Sequence, residues 1–263
     1  DLAIYNNSVG IQITSMSGGT IENNMIGTRA NGVDPTGSSR LDKGISVVGS
    51  GSLSALITKN YIAYANTTGV AGDNPSSSVT LFKNEIYKNG LVSAGGDGIE
   101  IIGTWSVEQN LIHESGNSSS SPISGGNGIE IGKASGLSTG STIRNNTIIN
   151  NSVTGINVFN NVTNTVIEKN IITGNGTNYS SANTRLGAGV KLTFPNTQPQ
   201  NAIKITNNSF ANNYGLAIDI VTSGSGQADG VSGNDGVLES TSTEPNRGID
   251  YPVFTLSTLN GSV

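Results

Sequence analysis

Two short phrases with a two-residue apolar period recur along the 263 residues and predict an all-β chain. The first is apolar-x-x-Asn-x-apolar, and the second, Gly-apolar-x-apolar, falls between successive copies of it. The phrases stay fixed while their spacing varies. Together these observations predict one right-handed parallel β-helix of about eight three-strand coils.

The first phrase places an asparagine at Asn7, Asn24, Asn60, Asn84, Asn110, Asn146, Asn170 and Asn208. Successive members are 17, 36, 24, 26, 36, 24 and 38 residues apart, which excludes helical repeats of constant length. Such spacing suits a coil of three short strands whose connecting turns differ in length. Neighbouring coils then pair in parallel about 4.8 Å apart, and the rest of each coil serves as the crossover a parallel pair needs. Each asparagine is expected at a sharp corner, where it tolerates left-handed backbone angles. Its amide is expected to bond the asparagine of the next coil.

The second phrase runs from Gly10 to Ile13, Gly44 to Val47, Gly98 to Ile101 and Gly128 to Ile131. It continues from Gly155 to Val158, Gly189 to Leu192 and Gly215 to Ile218, with Gly69-Val70 as a degenerate copy. One face of each strand is expected inside. The β-helix is assigned to residues 1–220. Residues 221–263 read as a C-terminal loop or cap followed by a strand, and as the start of a following domain. The chain opens at Asp1 in mid-repeat, so it reads as a mature chain or a segment of a longer array.

Composition narrows the functions. Only 12% of residues are charged, the net charge is −5, and no basic stripe is present, which argues against nucleic acid as a partner. There is no cysteine, so disulfides and thiolate chemistry are excluded. No apolar run approaches the length of a membrane span.

These phrases resemble the parallel β-helix repeats of pectate-lyase-like folds. The stretch Asn24-Met25-Ile26-Gly27-Thr28 through Gly32 and Gly37 is similar to a repeat common in large bacterial surface proteins. The ending Gly215-Leu216-Ala217-Ile218-Asp219-Ile220, then Tyr251-Pro252-Val253, resembles the way such arrays close. The resemblance implies the architecture and an exported setting; enzymes, adhesins and tail fibres share it.

The outward column of the Gly-apolar-x-apolar strand reads Gln12, Ser46, Ala71, Glu100, Glu130, Asn157, Lys191, Ala217. Glu100 and Glu130 should be direct neighbours, and two adjacent carboxylates are costly without a cation or a shared proton. They are therefore the candidate catalytic pair, with Lys191 as a base or charge clamp for a uronate. No cofactor is required, but calcium at Glu100 and Glu130 is an option. Asp97, Lys133, Asn157 and Asp219 flank the column as candidate substrate-binding residues. A second column, Glu108, Arg144, Glu168, reads as a cross-strand charge ladder. The lone histidine, His113, and the aromatics Trp105, Tyr87 and Phe82 read as scattered surface or core residues.

Inserts at 27–43, 113–127 and 173–188 all lie between the asparagine corner strand and the glycine strand, so they should share one edge. The first functional reading is a structural or adhesive module of a secreted or cell-surface microbial protein. It would contact polysaccharide or a host surface protein along one face, in an oligomeric state the sequence leaves open. The alternative is a polysaccharide lyase or glycoside hydrolase using the carboxylates of the glycine face.

Overall fold

The computed structural model describes residues 2–92, 96–116, 126–133, 136–177, 187–193, 200–221 and 246. The chain winds through three long parallel sheets. One, here the asparagine sheet, takes the strand after each asparagine corner: Ala3–Ile4, Met25–Ile26, Tyr61–Ala63, Glu85–Tyr87, Leu111–His113, Thr147–Ile149, Ile171–Thr173 and Ser209–Ala211. The glycine sheet stacks Val9–Ile13, Lys43–Val47, Thr68–Gly72, Ile99–Ile101, Ile129–Ile131, Ile156–Val158, Val190–Leu192 and Ile218–Ile220. A third sheet of seven strands runs from Ser17–Glu22 to Lys204–Thr206. Eight coils result, and seven intervals of about 4.8 Å make a stack about 34 Å long.

The period-two pattern explains the core. Ile26, Ile62, Ile86, Ile112, Ile148 and Ile172 form one fully buried column from the asparagine sheet. Ile45, Val70, Ile99, Ile129, Ile156 and Val190 form a second from the glycine sheet, and Ile57, Leu81, Val107, Ile143 and Ile167 a third. β-branched side chains dominate because they suit the pleated surface of strands buried on one face. The glycine that opens each second-phrase strand is needed where backbones crowd. A Cβ on Gly98 would lie 2.6 Å from the Gly128 carbonyl oxygen.

Six successive asparagine pairs, from Asn24 to Asn208, form a ladder down the first corner. Each Oδ1 accepts the backbone N–H of the preceding ladder asparagine at 2.8–3.0 Å and its side-chain amide at 2.9–3.1 Å. From Asn60 onward each Nδ2 also donates to a third-sheet carbonyl of the preceding coil, as Asn110 does to Leu81 at 3.0 Å.

Two expectations change here. The left-handed residue is the one before each ladder asparagine: Asn23, Lys59, Lys83, Gln109, Asn145, Lys169 and Asn207 have φ of 53–56°. The asparagine itself is therefore selected for its amide rather than for its backbone. Asn7 does not belong to this ladder. The register pairs Ala3 with Met25, so Asn7 falls one corner later than Asn24, and its amide donates to Tyr5 within its own turn. Its corner carries a second ladder that the phrase search missed, in which Asn151 bonds Asn175 and Asn175 bonds Asn213 at 2.9 Å.

The last described strands also shift by two. Lys191 pairs with Asp219, which displaces Ala217 from the outward column. Most of residues 221–263 lie outside the described residues. Val221 and Asn246 are the exceptions, and the Asn246 amide both accepts from the Ile203 N–H and donates to the Ile203 carbonyl.

Replacing Asn110 by Ala removes the acceptor shared by two donors of Asn84 and should cost about 2–3 kcal/mol. Asn7→Ala, at an exposed turn, should change stability by less than about 0.5 kcal/mol. Urea denaturation with an unchanged m-value checks both.

Candidate functional site

The outward residues of the glycine sheet form one row whose members sit in direct register: Glu100 beside Glu130, Glu130 beside Asn157, Asn157 beside Lys191, and Lys191 beside Asp219. The row is shielded, unlike the open polar face that alternation alone would suggest. Glu100, Asn157, Lys191 and Asp219 are 8%, 5%, 9% and 1% exposed.

The Glu100 end is closed by ion pairing. Lys133 follows its strand and folds back, so that Nζ lies 2.7 Å from Glu100 and 3.0 Å from Asp73. Lys43 bonds the other Asp73 oxygen at 3.1 Å, and the Thr68 hydroxyl donates to Glu100 at 3.1 Å. Lys133 thus supplies a cation to Glu100, one of the two stacked glutamates. Burial opposes its charge, but the Glu100 and Asp73 carboxylates outweigh it and hold the ammonium above the ordinary lysine range. Burial would raise Asp73, yet hydrogen bonds from Lys133 and Lys43 win and keep it below the usual carboxylate range. Among the described residues, no group of three or more His, Cys, Asp or Glu side chains is placed to hold a metal ion.

Beside that ion-paired group stand Asp97 and Glu130, which among the described residues are hydrogen-bonded without an ion pair, and the buried amine of Lys191. Asp97 Oδ1 accepts the backbone N–H groups of Gly126 and Asn127 at 3.0 and 2.7 Å, which fastens that loop. Burial, with the charges of Glu130 and Glu100, still raises the Asp97 carboxyl well above the ordinary range. Glu130 accepts from Asn157 Nδ2 at 3.1 Å and from Asn127 Nδ2 at 3.3 Å. Burial pushes it up to about 7, against the Asn157 hydrogen bond and with the repulsion of Glu100. Burial also pulls Lys191 below the lysine range, opposed by the carboxylates of Asp219, Glu130 and Asp97.

The candidate residues of the row therefore stand side by side in two bonded groups, Glu100 with Lys133 and Glu130 with Asn157, with Lys191 and Asp219 in register beyond. Thr68, which opens a strand, and Asp73, Asn127 and Thr193, which flank strands, join these groups and carried no repeat signal. Glu108 and Arg144 pair at 2.9 Å in the third sheet, with Glu168 in register beyond. Trp105 is a core residue, 1% exposed, and its Nε1 donates to Ser77. His113 is not a lone surface residue. It stacks on Tyr87 at 4.5 Å between ring centroids, with Glu85 3.1 Å from Nε2. Tyr61 and Tyr64 approach the same Tyr87 ring at 6.2 and 5.5 Å, forming an aromatic strip on the outer asparagine sheet. The loop at 27–42 and the ends of the other two inserts leave from one corner, between the asparagine and glycine sheets; residues 117–125 and 178–186 lie outside the described residues.

A family model for a right-handed beta helix region matches residues 43–245, most of the chain, and the protein belongs to that family. Neither curated proteins nor solved structures gave a match. Among the described residues no helix is long and apolar enough to cross a membrane.

The raised acids set a pH dependence. An acid whose folded pKa is raised binds more protons when folded, so stability is greatest below its unfolded value and falls as pH rises through its folded one. For Glu130 that window runs from 4.5 to about 7, and Asp97 adds to it. The midpoint of thermal melting should therefore fall by several degrees from about pH 5 to about pH 7.5. Glu130→Gln should flatten that slope in a calorimetric pH series.

Proposed function

We propose that the chain is a stiff scaffold segment of a secreted or cell-surface microbial protein, presenting its outer faces to polysaccharide or to a host surface protein. The observation that carries this reading is how the charged row is satisfied from within. Glu100 is engaged by Lys133 and Thr68, and Asp97 by two backbone amides, so these groups are committed to holding coils and loops together. A catalytic carboxylate pair instead needs room for substrate and water between its members. Two asparagine ladders and an isoleucine interior give the stiffness such a segment needs.

Support for a carbohydrate contact comes from the aromatic strip. Tyr61, Tyr64, Tyr87 and His113 lie half-buried on one outer face, with Lys88 5.0 Å over the Tyr87 ring and Glu85 and Glu114 beside His113. Stacked rings with a polar rim suit sugar faces, whose C–H groups pack on rings while hydroxyls take the rim.

The second reading, a polysaccharide lyase or hydrolase, is favoured by one observation. Glu130 near 7 and Lys191 below its ordinary range have their titrations moved toward each other within one row, as paired acid and base groups require. A glycan panel read for binding and for cleavage products separates the two. The scaffold reading expects retention without products, and Tyr87→Ala should weaken retention about tenfold. Products that vanish in Glu130→Gln would establish the enzyme instead.

A further inference from the structure

The centre of the buried row brings a primary amine, a carboxamide and a carboxyl group side by side. Lys191 and Asn157 are cross-strand partners on adjacent coils, both pointing outward from the same sheet, both at most 9% exposed. The Asn157 amide is polarised at both ends. The Thr193 hydroxyl donates to Oδ1 at 2.8 Å, while Nδ2 donates to Glu130 at 3.1 Å. Thr193 is itself buried, 3% exposed. Among the described residues that nitrogen bonds Glu130 alone, and Glu130 stands next to Asn157 on the side away from Lys191.

We propose that Lys191 and Asn157 join spontaneously in an intramolecular isopeptide bond, with Glu130 handling the proton. The uncharged Nζ adds its lone pair to Cγ of Asn157, and the carbonyl electrons move onto Oδ1, where the Thr193 hydroxyl steadies the developing charge. Glu130 delivers a proton to Nδ2, the Cγ–Nδ2 bond breaks, and ammonia leaves. The proton lost by Nζ restores the Glu130 acid. One C–N bond forms and one breaks, nothing is oxidised or reduced, and no other reactant enters. Burial assists each partner: it disfavours the ammonium of Lys191 and keeps Glu130 protonated near neutrality. It also limits the water that would compete for Cγ. Asp219, on the far side of Lys191, is the competing acceptor, and condensation there would release water instead. Asn157 is preferred because a donor to its oxygen and a proton carrier at its leaving nitrogen are both in place.

The test is intact-mass spectrometry of the purified, urea-unfolded chain. The expected mass is short by one ammonia, and trypsin should yield a branched peptide joining residues 145–169 to residues 186–204 with Lys191 uncleaved. Lys191→Arg and Glu130→Gln should both show the full mass, with folding checked by circular dichroism. Ammonia loss from an Asn-Gly step would survive in Lys191→Arg and give no branched peptide. A full-mass wild-type chain overturns the proposal, as does a loss of water with Lys191 joined to Asp219. Retention of the branched peptide in Glu130→Gln overturns the part assigned to Glu130. The peptide map of the wild-type chain decides the bond even if a variant fails to fold. Cleavage of a glycan by the protein would leave this result unaffected, so it stands apart from the scaffold reading.

Discussion

Everything in this molecule depends on how the side-chain amide of an inward asparagine is satisfied. A coil that turns sharply must tuck backbone N–H and C=O groups beneath the next coil, out of reach of water. The amide of Asn110 answers three of them at once: it accepts the Asn84 backbone N–H and donates to the Leu81 and Glu108 carbonyls, while it also bonds the side-chain amides of Asn84 and Asn146. Because every rung makes the same bonds to the next, the corners of six consecutive steps are forced into one line. The isoleucine columns can then meet side by side in the interior. Slippage by one residue would break a rung and turn an entire strand's apolar face outward.

That dependence explains what was legible in the sequence. The coil count, the parallel register and the inward columns all follow from phrases that recur because the ladder and the core demand them. Asn7 misled because it carries the same residue at the other corner, where only the strand register reveals its place. The second ladder was harder to see, since Ala65 and Ser115 interrupt it. The shielding of the outward row was not legible at all. Period two says which side a residue faces, but not whether Lys133 or a turn folds back over it. The shift of the last strand, which puts Asp219 beside Lys191, is likewise set by pairing rather than by pattern.

The row itself shows two ways of accommodating buried charge on one sheet. Near Glu100, lysines and acids alternate and neutralise one another. Asp97 on the same coil and Glu130 on the next make no ion pair among the described residues, and burial moves them toward the neutral form instead. Both solutions tie consecutive coils across the glycine sheet, beside the corner from which the variable loops leave. The interior ladders and this outer network therefore reinforce the same axis from two sides.

The uneven coil length has a mechanical meaning. Backbone pairing joins each described coil to the coil before and the coil after it, so a chain pulled from one end would peel away nearly one coil at a time. The rungs at Asn84 and Asn110 would release segments of different length, because 24 residues separate Asn60 from Asn84 and 36 separate Asn110 from Asn146. Under load the protein would give way as a graded series of yields rather than in one rupture. Such a solenoid would dissipate an applied load while most of its length stays wound.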